Sequence, residues 1–407
     1  MGKFLISGGN ALCGSVCVSG SKNAALPVIF ASLTLFGRSE IVGLPDIGDV
    51  RVALELIKEQ GAAVERSGNT TYISTESLKY VTPSSELVSR LRASTYLIGA
   101  CLARFGRVEL GSYGGCAFSS RPIDFHLALA EKMGAHREKD SLTLPRLVPA
   151  DVSFKCKSVG ATVNFLIMAA SCDGESRLYS PATEPHIDTL IEYLSSAGAS
   201  IERDNDVLIV RGGTLGGGRV RIKGDPIEAG SFICASLATG GSVRVFGAEQ
   251  GELSPLLSLL SDGGAKIDTS LGILASGEIS EPLEVVARAH PGFPTDLQPV
   301  TAPLMSVSRG GRIFDTVWTD RYGYLSELAR LGATYCVDDA GAEIYPSRFT
   351  GGTATATDLR GGAACVIAAL ASNGYSEIRS ASTVLRGYGG FIDKLRSLGA
   401  DIEYSEL

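Results

Sequence analysis

Histidine is scarce in this chain: His126, His136, His186 and His290 are its complement among 407 residues. The nine cysteines are an odd number, scattered from Cys13 to Cys365, and no two form a CxxC pair. Metal-ligand spacing and a disulfide framework are both missing, which leaves reduced thiols and a cytosolic setting as the simplest expectation. No apolar run reaches the roughly 18 residues that cross a bilayer. The opening MGKFLISGG has neither a long apolar core nor a transit-peptide pattern, so a cytoplasmic protein without a membrane partner is expected. No basic stripe interleaved with aromatics appears, and the net charge of −7 argues against nucleic acid. An anionic small molecule stays open, provided that arginines and lysines gather locally.

Glycine, by contrast, is abundant, with 49 residues spread without a collagen-like period. At 44% hydrophobic and 20% charged residues the composition is that of a globular protein, and the length favours two domains. Six glycines mark a repeat. IKEQGAAV, AEKMGAHR, SSAGASI, SDGGAKI, ARLGATY and RSLGADI each place Gly-Ala after a helix-like leucine pattern. Their glycines, Gly61, Gly134, Gly198, Gly264, Gly332 and Gly399, lie between 64 and 73 residues apart. A glycine just past an amphipathic helix predicts a left-handed C-terminal cap, and a strand-like segment follows each one.

A second series keeps the same spacing: SKNAALPVIFASL, LRASTYLIGACLA, SVGATVNFLIMAAS, EAGSFICASLATG, TDLQPVTAPLMSVS and TDLRGGAACVIAALA. Each has a polar residue within its first two positions and continues as an Ala-, Gly- and Ser-rich helix, which suits burial on every side. Six units of about 68 residues, three per domain, predict an α/β fold with buried helices inside sheets and outer helices. Two places per unit carry unusual residues. The helix starts supply Lys22 and Asn23, Arg92, Ser158, Glu228, Asp296 and Arg360. The loops supply Asp46, the stretch Cys116 to Arg121, Glu184, Arg321 and Arg386. Helix N-termini favour anions, so converging units would build one anion site.

Taken singly, these residues leave alternatives open. Cys116 follows Gly114-Gly115 on a polar stretch, accessible either as a proton donor or as a thiolate nucleophile. Lys22 at a helix start opposes the macrodipole, a conflict that an anionic ligand would remove. Arg92, Arg121, Arg360 and Arg386 read as solvated surface charges or, recurring at equivalent places, as an anion pocket. Asp296 in FPTDLQ reads as a helix cap or as a base. The remaining cysteines read as buried and inert.

SGSKNAALP, LRAS, the GGC loop with RPIDFH, SVGAT, FPTDLQ, TDLR and RGY follow in order over the whole chain. Together they resemble the UDP-N-acetylglucosamine 1-carboxyvinyltransferase family of enolpyruvyl transferases. The resemblance implies a two-domain inside-out α/β barrel, with residues 21–225 as one domain and residues 1–20 with 226–407 as the other. It implies enolpyruvyl transfer from phosphoenolpyruvate to the sugar 3-hydroxyl, with phosphate released, in peptidoglycan synthesis. No metal or organic cofactor is implied, and the partners are the two small-molecule substrates. By this resemblance Lys22, Arg92, Arg121, Arg360 and Arg386 hold phosphoenolpyruvate, Asp296 is the base and Cys116 the acid. Pro122, Asp124 and Phe125 meet uracil, Ser158, Val159 and Gly160 the diphosphate, and Asn23, Arg92, Arg121, Asp296 and Val317 the rest of the sugar nucleotide. The family's sensitivity to the epoxide fosfomycin would fall on Cys116.

Some positions depart from that pattern. STVLRGYGG lacks the acidic residues that normally flank the arginine-tyrosine motif. EPHI has His186 for a glutamate, DPIE has Pro226 for an arginine, and the lysines near the diphosphate stretch are Lys155 and Lys157. These changes suggest an alternative acceptor, another uridine nucleotide such as UMP, as in nucleoside-antibiotic synthesis.

Overall fold

In the computed structural model residues 2–111 and 123–406 are described. The chain forms two compact units. The middle unit runs from Gly20 to Lys223, and the terminal unit joins the residues up to Ser19 with those from Gly224 onward. The architecture is mixed α/β, with small sheets and helices interspersed throughout.

Among the described residues each unit holds three sheets. Five of the six share one plan: a parallel edge strand, then three strands in antiparallel succession. In the terminal unit Leu283–Ala287 runs parallel to Gly311–Asp315, which pairs antiparallel with Gly341–Tyr345, itself paired with Thr334–Asp338. The sixth sheet, of Arg107–Glu109, Ser141–Thr143 and His136–Arg137, has only antiparallel pairs.

Three of the parallel pairs are ordinary strand–helix–strand crossovers, such as Gly352–Thr355, the helix Leu359–Leu370 and Tyr375–Arg379. The other two are split where the chain passes between units. Cys13–Cys17 precedes the helix Lys22–Ala31 but pairs with Ser242–Phe246, and Arg219–Arg221 precedes the helix Pro226–Ala238 but pairs with Arg38–Val42. Because each edge strand stays behind, the terminal unit is assembled from both ends of the chain.

The small-residue helices are buried along nearly their whole length. Lys22–Ala31 buries Ala24 to Ala31, Val159–Ala170 buries Ala161 to Ala170, and Leu359–Leu370 buries Arg360 to Leu370. A helix enclosed on all sides needs short side chains so that its neighbours can approach. The outer helices behave differently. Gln250–Asp262 buries Leu253, Leu256, Leu257 and Leu260, a single stripe at helical spacing. All six repeat glycines have positive φ, from 92° at Gly61 to 118° at Gly332. At Gly134 a side chain is also excluded by packing, since a Cβ would stand 2.6 Å from the Arg146 carbonyl oxygen.

The expectation that the other cysteines are buried holds for Cys101, Cys172, Cys234 and Cys365 and fails for Cys13, Cys17, Cys156 and Cys336, which are exposed. On short edge strands and loops only alternate residues face the core. Burial pushes the Cys101 and Cys234 thiols up to about 12, so these two are inert. Among the described residues no helix is long and apolar enough to cross a membrane.

Candidate active site

In the terminal unit the site is built around one carboxylate. Asp296 lies on the turn before the helix Gln298–Val307, whose N-cap position falls on Leu297 with no side-chain cap bond. The carboxylate turns to two guanidiniums instead. Arg321 Nη1 donates to Oδ1 at 2.9 Å and Arg360 Nε to Oδ2 at 3.3 Å. Both arginines are nearly enclosed, at 3% and 1% exposure, whereas the Asp296 side chain keeps 29%. Asp296 is therefore the more accessible member of a cluster with two buried arginines.

Arg360 owes its place to Asp358. That side chain caps the helix Leu359–Leu370 by accepting from the Arg360 and Gly361 amides, both at 3.0 Å. Burial works against the Arg360 charge, but Tyr388, Asp296 and Asp225 outweigh it and hold its proton more tightly than usual. Its Nη1 and Nη2 are buried, with Tyr388 beside the guanidinium but, among the described residues, no hydrogen bond of full geometry to either nitrogen. Two buried guanidinium nitrogens left open in this way suit a bidentate anion. The reading of Arg360 as a surface charge is corrected by its burial. The RGY segment lies alongside: a Cβ at Gly387 would meet Leu359 at 2.6 Å, and Arg360 sits 5.1 Å from the Tyr388 ring centroid. Arg386 is the half-buried C-terminal cap residue of the short helix Ala381–Leu385. Val317 is 37% exposed, on a turn tied to Asp315.

In the middle unit Lys22 is the first residue of its helix, with Ser21 as cap. Its ammonium meets Asp49 at 3.3 Å, so the protein itself supplies an anion against the helix dipole. Asn23 follows it, half-buried. Arg92 opens the 3-10 turn Arg92–Thr95 rather than an α-helix.

Sequence reasoning passed over His126, which sits at the centre of the second cluster. It lies on the helix Asp124–Lys132, 5% exposed, with Nδ1 at 2.5 Å from the Asn164 side-chain nitrogen. Asn164 in turn binds the Thr95 carbonyl and the Gly99 amide, both at 3.0 Å. Burial first, then the Arg92 charge, lowers the His126 pKa to about 4, so the ring is neutral at pH 7. Gly160 faces that ring so closely that a Cβ would come within 2.9 Å. Gly160 thus lies against His126, and Arg92 and Asp124 are close enough to act on its charge. Ser158 caps its helix by accepting from the Ala161 amide, and Phe125 packs on Phe154 with centroids 5.1 Å apart. Cys116, Arg121 and Pro122 lie outside the described residues.

Several other marked positions have structural partners. Asp46 is held by Arg51 on the surface at 2.8 Å. Lys157 meets Asp206 at 3.5 Å, and Glu184 occupies the cap position of the helix Pro185–Ser196. Glu228, 1% exposed, accepts from Lys394 at 2.5 Å and from the Ser19 amide at 3.0 Å. Pro226 is accommodated at the first turn of its helix, where its missing N–H costs nothing. Arg321 was marked only as a loop residue. Nothing in its immediate sequence shows that its side chain reaches Asp296.

A family model described as EPSP synthase (3-phosphoshikimate 1-carboxyvinyltransferase) matches residues 6–395. The chain belongs to that family. Among its relatives, proteins named UDP-N-acetylglucosamine 1-carboxyvinyltransferase from Chlorobium limicola and Halothermothrix orenii are 38% and 37% identical. Each match covers 99% of this chain, with 98% and 99% of the relative. Among solved structures the enolpyruvyl transferase NikO from Streptomyces tendae superimposes with a TM-score of 0.87 at 27% identity, over 99% of both chains. EPSP synthase from Acinetobacter baumannii shares the fold, with a TM-score of 0.72 at 18% identity over the full length of both. Among the described residues of this family member, no group of three or more His, Cys, Asp or Glu side chains is placed to hold a metal.

Proposed function

We propose that this protein transfers the enolpyruvyl group of phosphoenolpyruvate to the 3-hydroxyl of UDP-N-acetylglucosamine, with release of phosphate, as a step of peptidoglycan precursor synthesis in the cytoplasm. The observation that carries this reading is its similarity over 99% of the chain to eight relatives of that name, at 35–38% identity. The same relatives favour the sugar nucleotide over UMP as acceptor. The repeat and the five like sheets support six units in two inside-out barrels, with domains at 21–225 and at 1–20 with 226–407.

The chemistry sets the roles. Phosphoenolpyruvate carries a phosphate and a carboxylate, and a cationic site must replace the water of both. Lys22, Arg92, Arg121, Arg360 and Arg386 fill that role, and the open Arg360 nitrogens supply a planar fork for one of the two groups. Asp296 accepts the proton of the 3-hydroxyl as the oxygen bonds to the substituted enol carbon. Cys116 delivers a proton to the methylene carbon, which becomes a methyl group. In the tetrahedral adduct the bond to phosphate then breaks, a methyl proton returns to the thiolate, and the double bond reforms. The proton taken from the hydroxyl leaves with phosphate. Pro122, Asp124 and Phe125 would receive uracil, Ser158, Val159 and Gly160 the diphosphate at a helix N-terminus, and Asn23 and Val317 the amino sugar.

Phosphate release from phosphoenolpyruvate, measured with UDP-N-acetylglucosamine and with UMP in parallel, tests the reading. Turnover with the sugar nucleotide is expected. Turnover with UMP alone would overturn the acceptor assignment and leave the mechanism standing.

A further inference from the structure

We infer that Asp315 is a positioning residue for this reaction, aiming the Asp296 carboxylate through Thr295 and Arg321 while it shapes the turn that presents Val317. The inference rests on Asp296 being the base and adds the groups that orient it.

Asp315 ends the strand Gly311–Asp315, and it is a fully buried carboxylate, at 0% exposure. Its two oxygens have different tasks. Oδ1 accepts from the amides of Val317 at 2.9 Å and Trp318 at 2.8 Å, closing the turn on which Val317 stands exposed. Oδ2 accepts from the Thr295 hydroxyl. A hydroxyl has one proton to give. With that proton committed to Asp315, the Thr295 oxygen turns its lone pairs outward, and Arg321 Nη1 donates to it at 3.1 Å. The same Nη1 reaches the Thr295 carbonyl and Asp296 Oδ1, both at 2.9 Å. It has two hydrogens for three acceptors, so its direction depends on all three being where they are. The order Asp315, Thr295, Arg321, Asp296 is thus fixed by donor and acceptor capacity, and every link is within hydrogen-bond reach. Asp315 so joins the turn proposed to meet the sugar to the carboxylate proposed to take its proton.

The two oxygens allow the two tasks to be separated. Asp315→Asn can still accept from the turn amides through its carbonyl oxygen, but its amide nitrogen cannot take the Thr295 proton. Thr295→Val removes the hydroxyl at nearly constant shape, and Thr295→Ser restores it. Steady-state phosphate release should show kcat lowered about tenfold or more in Asp315→Asn and Thr295→Val, with KM for UDP-N-acetylglucosamine within about twofold of wild type. Thr295→Ser should recover most of kcat. Asp315→Ala, which loses both oxygens, should in addition raise that KM. A residue that served only folding would lower thermal stability and leave kcat of the folded fraction unchanged.

Asp296→Asn is measured beside them. If it loses turnover while Thr295→Val keeps kcat within twofold, or if Thr295→Ser fails to restore it, the positioning inference is overturned and the base assignment stands. If Asp296→Asn itself keeps turnover, the base assignment falls and the inference falls with it. The Thr295 pair decides the matter even where an Asp315 variant does not fold.

Discussion

Replacing Asp296 by Asn removes the charge on which two enclosed guanidiniums depend. Arg321 and Arg360 would keep their burial, at 3% and 1% exposure, and face an amide that can accept from only one of them. Breaking a buried pair by deleting one partner costs about 3–5 kcal/mol, because the other charge is left without compensation. Here the deleted carboxylate is 29% exposed, so water compensates in part, and about 2 kcal/mol is a fair expectation. In a unit of about 200 residues that lowers Tm by roughly 4–8 °C. Loss of a general base should lower turnover by about 10²-fold or more. An anion should then do what the carboxylate did: phosphate or phosphoenolpyruvate should raise the Tm of Asp296→Asn more than that of wild type. Differential scanning calorimetry with and without phosphate, together with phosphate-release kinetics, makes the test. Unchanged Tm and near-normal turnover would refute the argument, since the arginines would then have no need of Asp296.

Three further outcomes are expected. Fosfomycin should alkylate Cys116 in the presence of UDP-N-acetylglucosamine, and intact-mass analysis with peptide mapping would locate the adduct; its absence would remove Cys116 from the site. His126 should make stability fall as pH drops. Its pKa is about 4 folded against 6.5 in the unfolded chain, so the unfolded state binds more protons between those values. The full difference is worth about 3 kcal/mol, present above pH 6.5 and lost towards pH 4. Urea unfolding of wild type and His126→Gln at pH 7, 5.5 and 4.5 should show the wild-type slope flattened in the variant. Gly160→Ala should cost about 1–3 kcal/mol by overpacking, because the new methyl would stand 2.9 Å from the His126 ring. It should also weaken binding of the uridine nucleotide, read by calorimetric titration, whereas unchanged stability would mean that the ring has room to move.

How much was legible beforehand varies from residue to residue. Ser158 was readable as a helix start, because a cap bonds to an amide three residues away and its signal is local. The repeat glycines were readable for the same reason: a helix end needs a positive φ wherever it sits. Lys22 was singled out correctly as a helix-start cation, but its partner Asp49 is 27 residues away and nothing local announces it. Arg321 was readable as one of the recurring loop charges but its partner Asp296 was not, and Asp315 was hidden because it looks like any strand-end aspartate. His126 was passed over in a count of metal ligands, although its neutral, buried state comes from packing beside Asn164 and Arg92.

By itself the sequence determined the period of the chain, the small-residue helices that can be enclosed, and the glycines that end the outer helices. All of these depend on interactions within a few residues. Its ordered motifs also determined the family. Tertiary structure alone decided which charges meet: that Asp296 is held by Arg321 and Arg360, 25 and 64 residues away, and that Glu228 is taken up by Lys394. It alone decided that the edge strands Cys13–Cys17 and Arg219–Arg221 pair outside their own repeats. The physical reason is common to these cases. A buried charge is tolerated only beside a partner, an edge strand gains its hydrogen bonds only from the neighbour it is brought to, and chain separation does not reveal which one the fold will bring.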